Sequence, residues 1–487
     1  MPARQLDFSS VPDGLVRELA ELRQEMQVPD GFPPEVVAAA VAVVEHPRLP
    51  TEDRTDLPMV TIDPPGARDL DQAMYLEREG DDIVVWYAIA DVSAFVTAGD
   101  PIDTEARERG QTLYAPDRKS PLHPPELSES AASLLPDQVC PAFLWRIVVA
   151  PDGQFRDARV QRSLVRSTAQ HTYEEVQQQL DGGTASPSLQ LLAEVGQLRE
   201  AVERDRGGVS LPIPEQEIET GNGSWELVFR DVMPVEGWNA QISLLTGIAA
   251  AGLMLDGGIG ILRTLPPAEQ RSLRRLRQTA RALRIEWGAA VEYPDFVRSL
   301  DPGEPSHAAM LNACTTLFRG AGYTAFSGEA PKNTEHAALA TPYAHCTAPL
   351  RRLVDRWALE VCAALCAGEP VPEWVTSSLD TLPDLMSASD RRAKSYERAI
   401  IDLVEAHRLS GRVGDVFDGV IVDVDDKKGK DGKDGTDGRQ RGRVVVGDQA
   451  VEANVFGTDL PLGQEVRVRL SRADPAERRV EFELLAS

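Results

Sequence analysis

The chain has 487 residues, of which 42% are hydrophobic, and this length predicts roughly two to four domains rather than one core. Its 77 acidic and 51 basic residues give a formal net charge of −26. Such a balance lowers the expectation of a nucleic-acid partner without excluding one, because total charge does not locate a basic channel. No run of about 18 apolar residues occurs and the N-terminus lacks a signal-peptide core, so we expect a cytoplasmic protein without membrane association.

The cysteines exclude two other classes of protein. Five are present, scattered and without a C-x-x-C pair. An odd, dispersed set argues against both a disulfide framework and a structural zinc site. Cys362 and Cys366 lie four positions apart, on one face of a predicted helix.

Residues 1–56 predict a small helical module. Leu15, Leu19 and Leu22 have helical spacing, and Pro34 opens the apolar run EVVAAAVAVV after the breaker sequence VPDGFPP. Two helices joined by a tight turn are typical of a helix-turn-helix unit. A helical brace on the main domain is the alternative interpretation.

The next segment changes from strands to helices. MVTID and DIVVWYAIADVSAFV are rich in β-branched and aromatic residues and predict strands, whereas the proline-dense YAPDRKSPLHPPELSES predicts loops. Helical patterns then alternate with linkers over about residues 170–300. One of them, RSLRRLRQTARALR at 271–284, combines a leucine face with six arginines. It fits a solvated helix face or a nucleic-acid surface.

The last 75 or so residues predict a separate module. Five short strand-like runs, from GDVFDGVIVDV to RRVEFELL, recur at regular spacing with turn signals between them, which is typical of a small five-stranded barrel. The run KKGKDGKDGTDGRQRGR has no apolar residue, and we interpret it as a mobile loop.

The segment TIDPPGARDLDQAMY, residues 61–75, gathers three carboxylates. The PPG turn can return Asp63 towards Asp69 and Asp71, which face the same way in an extended segment, roughly 7 Å apart. Like charges held together need a compensating cation, and oxygen-only sites suit Mg²⁺. Spacing alone fits either a metal site for phosphodiester hydrolysis or a solvated turn.

Several segments in order resemble the RNase II/RNase R family, the RNB exoribonucleases. TIDPPGARDLDQA is similar to the family's aspartate signature, and the later matches are YAIADVSAFV, LYAPDRKSPLHPPELSESAASLLP, GGVSLPIPEQEIE and HAALATPYAHCTAPLRRLVDR. The resemblance implies an α+β fold. An RNB nuclease domain with a mixed sheet and surrounding helices would occupy residues 57–410, and a five-stranded OB barrel of the S1 type would occupy 411–487. The cold-shock barrels of the family have no counterpart in residues 1–56.

The resemblance also implies roles for individual residues. Asp63, Asp69 and Asp71 would bind metal, and Asp71 and Arg351 would be catalytic. Tyr114 would stack on a base, with a buried core tyrosine as the alternative, and Glu397 would contact the RNA end. The implied reaction is stepwise 3′→5′ hydrolysis of single-stranded RNA to nucleoside 5′-monophosphates, with Mg²⁺ or alternatively Mn²⁺. We expect a monomer and infer no obligate protein partner.

Two departures from the family pattern qualify this expectation. Gln72 replaces the fourth aspartate of the signature, and in TAPLR Ala348 lacks the hydroxyl of the family's serine. A neutral amide binds Mg²⁺ more weakly than a carboxylate, so Gln72 is a doubtful ligand. A catalytically impaired RNB-fold RNA-binding protein is therefore the alternative function. A phosphohydrolase acting on small molecules is a third, although it leaves the C-terminal barrel unexplained.

Overall fold

The computed structural model describes residues 13–209, 215–221, 224–230, 232–318, 320–424, 439–447 and 451–485. The helices in this part of the chain are α1 Asp13–Glu25, α2 Pro34–Glu45, α3 Pro101–Arg109, α4 Tyr173–Asp181, α5 Pro187–Arg206, α6 Pro234–Gly257, α7 Gln270–Ala282, α8 Tyr293–Arg298, α9 Pro305–Cys314, α10 Leu353–Ala367, α11 Glu373–Thr376 and α12 Leu382–Leu409. The strands are β1 Met59–Ile62, β2 Gln72–Glu79, β3 Asp82–Ala90, β4 Leu113–Tyr114, β5 Lys119–Ser120, β6 Val139–Val149, β7 Phe155–His171, β8 Glu215–Gly221, β9 Ser224–Arg230, β10 Ile259–Thr264, β11 Gly322–Ser327, β12 Glu335–His336, β13 Thr341–Pro342, β14 Val416–Val424, β15 Gln440–Val446, β16 Val451–Gly457, β17 Glu465–Asp474 and β18 Arg479–Leu484.

A five-stranded closed barrel forms the centre of the larger region, residues 57–410. Its strand order is β1-β2-β3-β6-β7, and all pairs are antiparallel except β1 with β7. The predicted mixed sheet is therefore confirmed, and the parallel β1/β7 pair closes it into a barrel, which the sequence pattern did not predict. This closure brings the end of β1, where the carboxylate segment begins, beside the end of β7.

Helix α6 is a core helix of the region that contains the first barrel. By length and composition it could cross a membrane, yet 56% of its most apolar window is buried inside the protein. α6 approaches the backbone around Ala344 so closely at Gly247 that a side chain would not fit. A Cβ at Gly247 would lie 2.5 Å from the Ala344 carbonyl oxygen. Helices α5 and α10 share the same buried cluster. α6 thus packs as a core helix against the segment that leads to Arg351.

The C-terminal strands form a second closed barrel, as predicted. Its order is β14-β15-β16-β18-β17, with β16 and β18 parallel and the other pairs antiparallel. Phe417 and Phe482 meet edge to face in its interior at 5.8 Å between ring centroids. Most of the glycine- and lysine-rich run at 427–443 lies outside the described residues.

The two N-terminal helices pack on different parts of the protein. The leucines of α1 join a buried cluster with α12 and the C-terminal barrel, whereas Val36 and Ala40 of α2 join the cluster around the nuclease barrel. Arg23 of α1 also forms a two-pronged pair with Asp117, with both N···O distances at 2.7 Å. α1 and α2 thus contribute to different buried clusters, which favours the brace interpretation, and both interpretations stay predictions.

Helix α7 keeps its arginines on the surface. Leu276 and Ala280 are buried, as the leucine face predicted. Arg277 stacks on the Trp287 ring at 4.4 Å and donates to nearby carbonyls, so it serves the packing of this region. Exposed arginines cover the remaining face, at Arg271, Arg274, Arg275, Arg281 and Arg284.

Candidate active site

Asp63 sits where β1 ends against β7. Its N–H donates to the His171 carbonyl at 3.0 Å, and Pro64, Pro65 and Gly66 then turn the chain, with φ +78° at Gly66, a value that favours glycine. Burial, with repulsion from Asp69, raises the pKa of Asp63 to about 7 against an opposing effect of Arg351. Its Oδ2 is buried without a hydrogen-bond partner among the described residues.

Asp69 is neutralised by a lysine that the charge argument did not identify. Lys119 Nζ lies 2.8 Å from Asp69 Oδ1 and 3.0 Å from Glu129 Oε1. Burial is the main cause of the raised pKa of Asp63 and of Asp71, and the Asp69 charge raises both pKa values further. The three predicted carboxylates are therefore electrostatically coupled, and Asp69 couples to each of the other two.

Asp71 is the most deeply buried of the three, with 5% of its surface exposed. Its Oδ1 accepts the Leu350 N–H at 2.8 Å, and its Oδ2 lies 3.4 Å from Arg351 Nε. Burial raises the pKa of Asp71 to about 8, while Arg351 and the Leu350 hydrogen bond act in the opposite direction. Asp71 and Arg351 were predicted to act together, and they contact each other directly although they lie 280 positions apart in sequence.

The turn that carries Arg351 is held at successive residues by different parts of the fold. It runs from Thr347 to Arg352 and leads directly into α10. Hydrogen bonds at consecutive residues restrict the position of this backbone and therefore of the Arg351 side chain. The contacts, in chain order, are Gln72 to the Thr347 carbonyl, Asp355 to the Ala348 N–H, His123 to the Pro349 backbone, Asp71 to the Leu350 N–H and the Thr112 N–H to the Arg351 carbonyl.

Gln72 uses both ends of its amide within the protein. Its Nε2 donates to the Thr347 carbonyl, and its Oε1 accepts the Tyr87 hydroxyl at 2.9 Å. The Tyr87 hydroxyl is in turn 2.8 Å from Ser243 Oγ. The predicted weak metal ligand is therefore engaged in a hydrogen-bond chain that leads to the Arg351 turn.

Tyr114 lies beside the acidic cluster on the short β4/β5 hairpin. It is half-buried, and its pKa is raised by burial first and then by the Asp69 charge, against the effect of Arg351. The hairpin tip is held by the N-terminal segment, because Asp117 pairs with Arg23 and Arg118 pairs with Asp30. Arg23 and Asp30 thus brace the strand pair that bears Tyr114.

Glu397 lies apart from these residues on α12. It is exposed, next to the buried Tyr396. The N-terminal half of α12 does reach the Arg351 region, since the Ser389 carbonyl accepts Gln111 Nε2 at 3.2 Å. Glu397 follows about two helical turns later, on the part of α12 that faces the C-terminal barrel.

The donor set suits one hard divalent cation bound by few protein oxygens. Within the described ranges, no group of three or more His, Cys, Asp or Glu side chains is arranged to hold a metal ion together. Mg²⁺ nevertheless commonly uses one or two carboxylates and completes its shell with water and substrate phosphate. The buried Oδ2 of Asp63, which has no hydrogen-bond partner among the described residues, fits an oxygen ligand for such a cation.

Sequence reasoning missed the residues that support the predicted ones. Lys119 lies in LYAPDRKSPLHPPELSES, and Asp355 lies four residues after Arg351. Asp355 is fully buried and accepts both the Ala348 N–H and the Arg352 guanidinium. The quoted motifs contained these side chains, but a single sequence does not reveal which partner each one takes.

The structure thus combines a barrel that carries carboxylates and an arginine at its end with a second five-stranded barrel. The RNB domain matches residues 51–365, and the RNase II-type exonuclease C-terminal S1 domain matches residues 415–485. The first match covers more than half of the chain. The chain therefore belongs to the RNB family.

Curated relatives carry the name Ribonuclease R. That of Escherichia coli (strain K12) is 26% identical in an alignment 512 residues long. The alignment covers 94% of this chain and 60% of that protein. That of Aquifex aeolicus is 26% identical over 498 residues, covering 95% of this chain and 69% of that protein. The chain thus spans about 60% of the length of the first of these relatives.

Solved structures share the fold. RNase R of Mycoplasma genitalium in complex with ribose methylated single-stranded RNA superposes with a TM-score of 0.83 at 18% identity, over 97% of this chain and 78% of that one. Yeast Ssd1, described as a pseudonuclease, superposes with a TM-score of 0.69 at 15% identity, over 96% of this chain and 58% of that one. At such identities the likeness establishes the fold alone.

Proposed function

We propose that the chain is a 3′→5′ exoribonuclease that hydrolyses single-stranded RNA stepwise to nucleoside 5′-monophosphates with Mg²⁺, Mn²⁺ being the alternative ion. The observation that carries this proposal is the Arg351 guanidinium, held 3.4 Å from Asp71 beside two further buried or paired carboxylates. An acidic cluster with one fixed arginine suits phosphoryl chemistry, in which metal-binding oxygens and a cation for the phosphate must lie side by side.

Each residue has a distinct role in this proposal. Asp63, Asp69 and Asp71 would hold the metal, which would supply a nucleophilic water and offset charge on the leaving oxygen. Arg351 donates to the scissile phosphate and stabilises the charge that develops there. Tyr114 stacks on the terminal base, and Glu397 contacts the RNA near its end.

RNA as the partner is supported by the relatives and by the second barrel. The structures of Mycoplasma genitalium RNase R contain single-stranded RNA in one case and double-stranded RNA in another. The S1 domain at 415–485 belongs to the OB class, whose strands bind single-stranded nucleic acid. We propose that this chain acts as a monomer in the cytoplasm on such RNA.

The alternative is an RNB-fold protein that binds RNA without cutting it efficiently. It is favoured by Gln72, which stands where the family has an aspartate. Asp63, Asp69, Asp71 and Arg351 are all present, and they favour the active enzyme.

A labelled-RNA assay separates the two functions. Single-stranded RNA with a 5′ label is incubated with the full chain and Mg²⁺, and the products are resolved by length while released nucleotides are identified by chromatography. We expect a ladder that shortens from the 3′ end, nucleoside 5′-monophosphates, and complete arrest by EDTA. RNA that is retained on a filter but never shortened, with Mg²⁺ or Mn²⁺, supports the binding protein instead.

A further inference from the structure

Gln72 connects the nuclease barrel to the turn that presents Arg351. It is the first residue of β2, and its Nε2 reaches across to the carbonyl of Thr347, a residue that is 4% exposed. On the other side its Oε1 accepts the Tyr87 hydroxyl at 2.9 Å. The amide therefore bridges two strands of the barrel and a turn 275 positions away in sequence.

The partners fix which way this amide points. A backbone carbonyl can only accept a hydrogen bond, so the nitrogen of Gln72 must face Thr347 and the oxygen must face Tyr87. Because the single hydroxyl proton of Tyr87 is then used towards Gln72, Ser243 Oγ at 2.8 Å must donate to Tyr87. The donors run in one direction, from Ser243 through Tyr87 and Gln72 to Thr347.

An ionised carboxylate cannot take this position in the chain of hydrogen bonds. An ionised aspartate or glutamate has acceptors only, and one of its oxygens would face the Thr347 carbonyl without a proton between them. Two buried acceptors held together are unfavourable, and each unmade bond costs about 1–3 kcal/mol. The carboxylate found in the family would therefore weaken the turn here.

We propose that Gln72 is a positioning residue that holds the Thr347–Arg352 turn, and with it Arg351, rather than a weakened metal ligand. The Ala348 and Leu350 N–H groups of the same turn are already bonded to Asp355 and Asp71. Gln72 supplies the contact at the start of the turn, where the chain leaves the segment packed on α6. The inference rests on the proposed function only where catalysis is measured.

The decisive variant is Gln72→Glu, which keeps the length of the side chain and replaces the donor by an acceptor that could bind Mg²⁺. The matched control is Gln190→Glu, because Gln190 also donates to a backbone carbonyl, that of Ala185 at 2.8 Å, but lies on α5. Three quantities are measured on the full chain: kcat and KM for single-stranded RNA, Mn²⁺ affinity by electron paramagnetic resonance, and deuterium exchange of the peptide that covers residues 345–355.

We expect Gln72→Glu to lower kcat by about 10²-fold with KM changed less than about threefold, because a small displacement of a catalytic group has effects of this size. Exchange in the 345–355 peptide should accelerate by about tenfold or more, whereas Gln190→Glu should leave both quantities unchanged. A higher kcat, a lower Mg²⁺ requirement or tighter Mn²⁺ binding with unaltered exchange would overturn the proposal and identify Gln72 as a weak ligand.

Tyr87→Phe provides an independent test should Gln72→Glu fail to fold. It removes only the hydroxyl that orients the Gln72 amide, so we expect a smaller loss of kcat, with faster exchange in the same peptide. If both variants fold, their effects should not add, since they interrupt one chain. Unchanged exchange in Tyr87→Phe contradicts the proposal. Should the wild-type chain fail to cleave RNA, the proposed function falls, while the exchange comparison still decides the role of Gln72.

Discussion

Asp355→Asn should destabilise the protein through the turn that bears Arg351. Asp355 is fully buried. Its Oδ1 accepts the Ala348 N–H at 2.7 Å and Arg352 Nη2 at 2.8 Å, and its Oδ2 accepts Arg352 Nε at 2.9 Å. Asparagine keeps the oxygen that faces Ala348 but turns an NH₂ group towards Arg352 Nε. Two donors then face each other, and the guanidinium loses its counterion.

The expected loss of unfolding free energy is about 3 kcal/mol. One hydrogen bond to a charged group, worth about 1.5–3 kcal/mol, disappears, and a second weakens because its acceptor becomes neutral. Removing the partner of a fully buried charge can cost up to about 5 kcal/mol. We expect a smaller loss here, because the Arg352 side chain that would be left without a counterion is 18% exposed.

Urea titration at pH 7.5, followed by circular dichroism, measures this loss. Asp384→Asn is the matched control, since Asp384 also lies in the first turn of a helix but is exposed; its effect should stay within about 0.5 kcal/mol. Equal stabilities of the two variants would refute the view that Asp355 anchors the turn.

Three further substitutions test neighbouring parts of the site. Arg351→Lys should lower kcat by about 10²–10³-fold with RNA affinity within about threefold, because a lysine cannot reproduce the planar guanidinium donors. Steady-state assays measure kcat and filter binding measures RNA affinity, and a kcat equal to that of wild type would contradict the catalytic role of Arg351. Tyr114→Ala should weaken RNA binding by about 1–3 kcal/mol while Tyr114→Phe preserves it, and equal losses in a fluorescence titration would argue against stacking. Burial lowers the pKa of His123 to about 3, below its unfolded value of about 6.5, so the unfolded chain binds the proton first and stability falls as the pH drops below 6.5. The stability difference between wild type and His123→Gln should therefore shift by about 2 kcal/mol between pH 7.5 and pH 5, and a pH-independent difference in urea titrations would count against a buried neutral histidine.

The fold was largely predictable because its strands and helices have strong local patterns. The C-terminal strands are short, regularly spaced and separated by turn residues, and they form the expected barrel. Closure of the first barrel was not predictable, since it depends on a parallel pairing of β1 with β7 across about 100 residues. Periodicity identifies a strand but does not identify a distant partner.

In the candidate site, too, local features could be predicted from the sequence, whereas contacts between distant segments could not. Asp63, Asp69 and Asp71 belong to one short segment, so their proximity could be predicted from the chain itself. Lys119, which neutralises Asp69, could be predicted only as some compensating cation, because its position depends on how a proline-rich loop folds back. The contacts of Gln72 were hidden for the same reason. Its residue type indicated a poorer ligand, whereas its hydrogen bonds connect it to Thr347 and Tyr87.

The turnover of 5′-labelled single-stranded RNA by Asp71→Asn tests most directly whether the acidic cluster beside Arg351 catalyses RNA hydrolysis. Asparagine can keep an oxygen for the Leu350 N–H, while it replaces the carboxylate oxygen that faces Arg351 Nε by an NH₂ group. Asp137→Asn is the control, since Asp137 is exposed with φ +61°, a conformation that asparagine tolerates. We expect Asp71→Asn to bind RNA within about threefold of wild type and to release nucleotides at least about 10²-fold more slowly. Release at the wild-type rate would contradict this expectation.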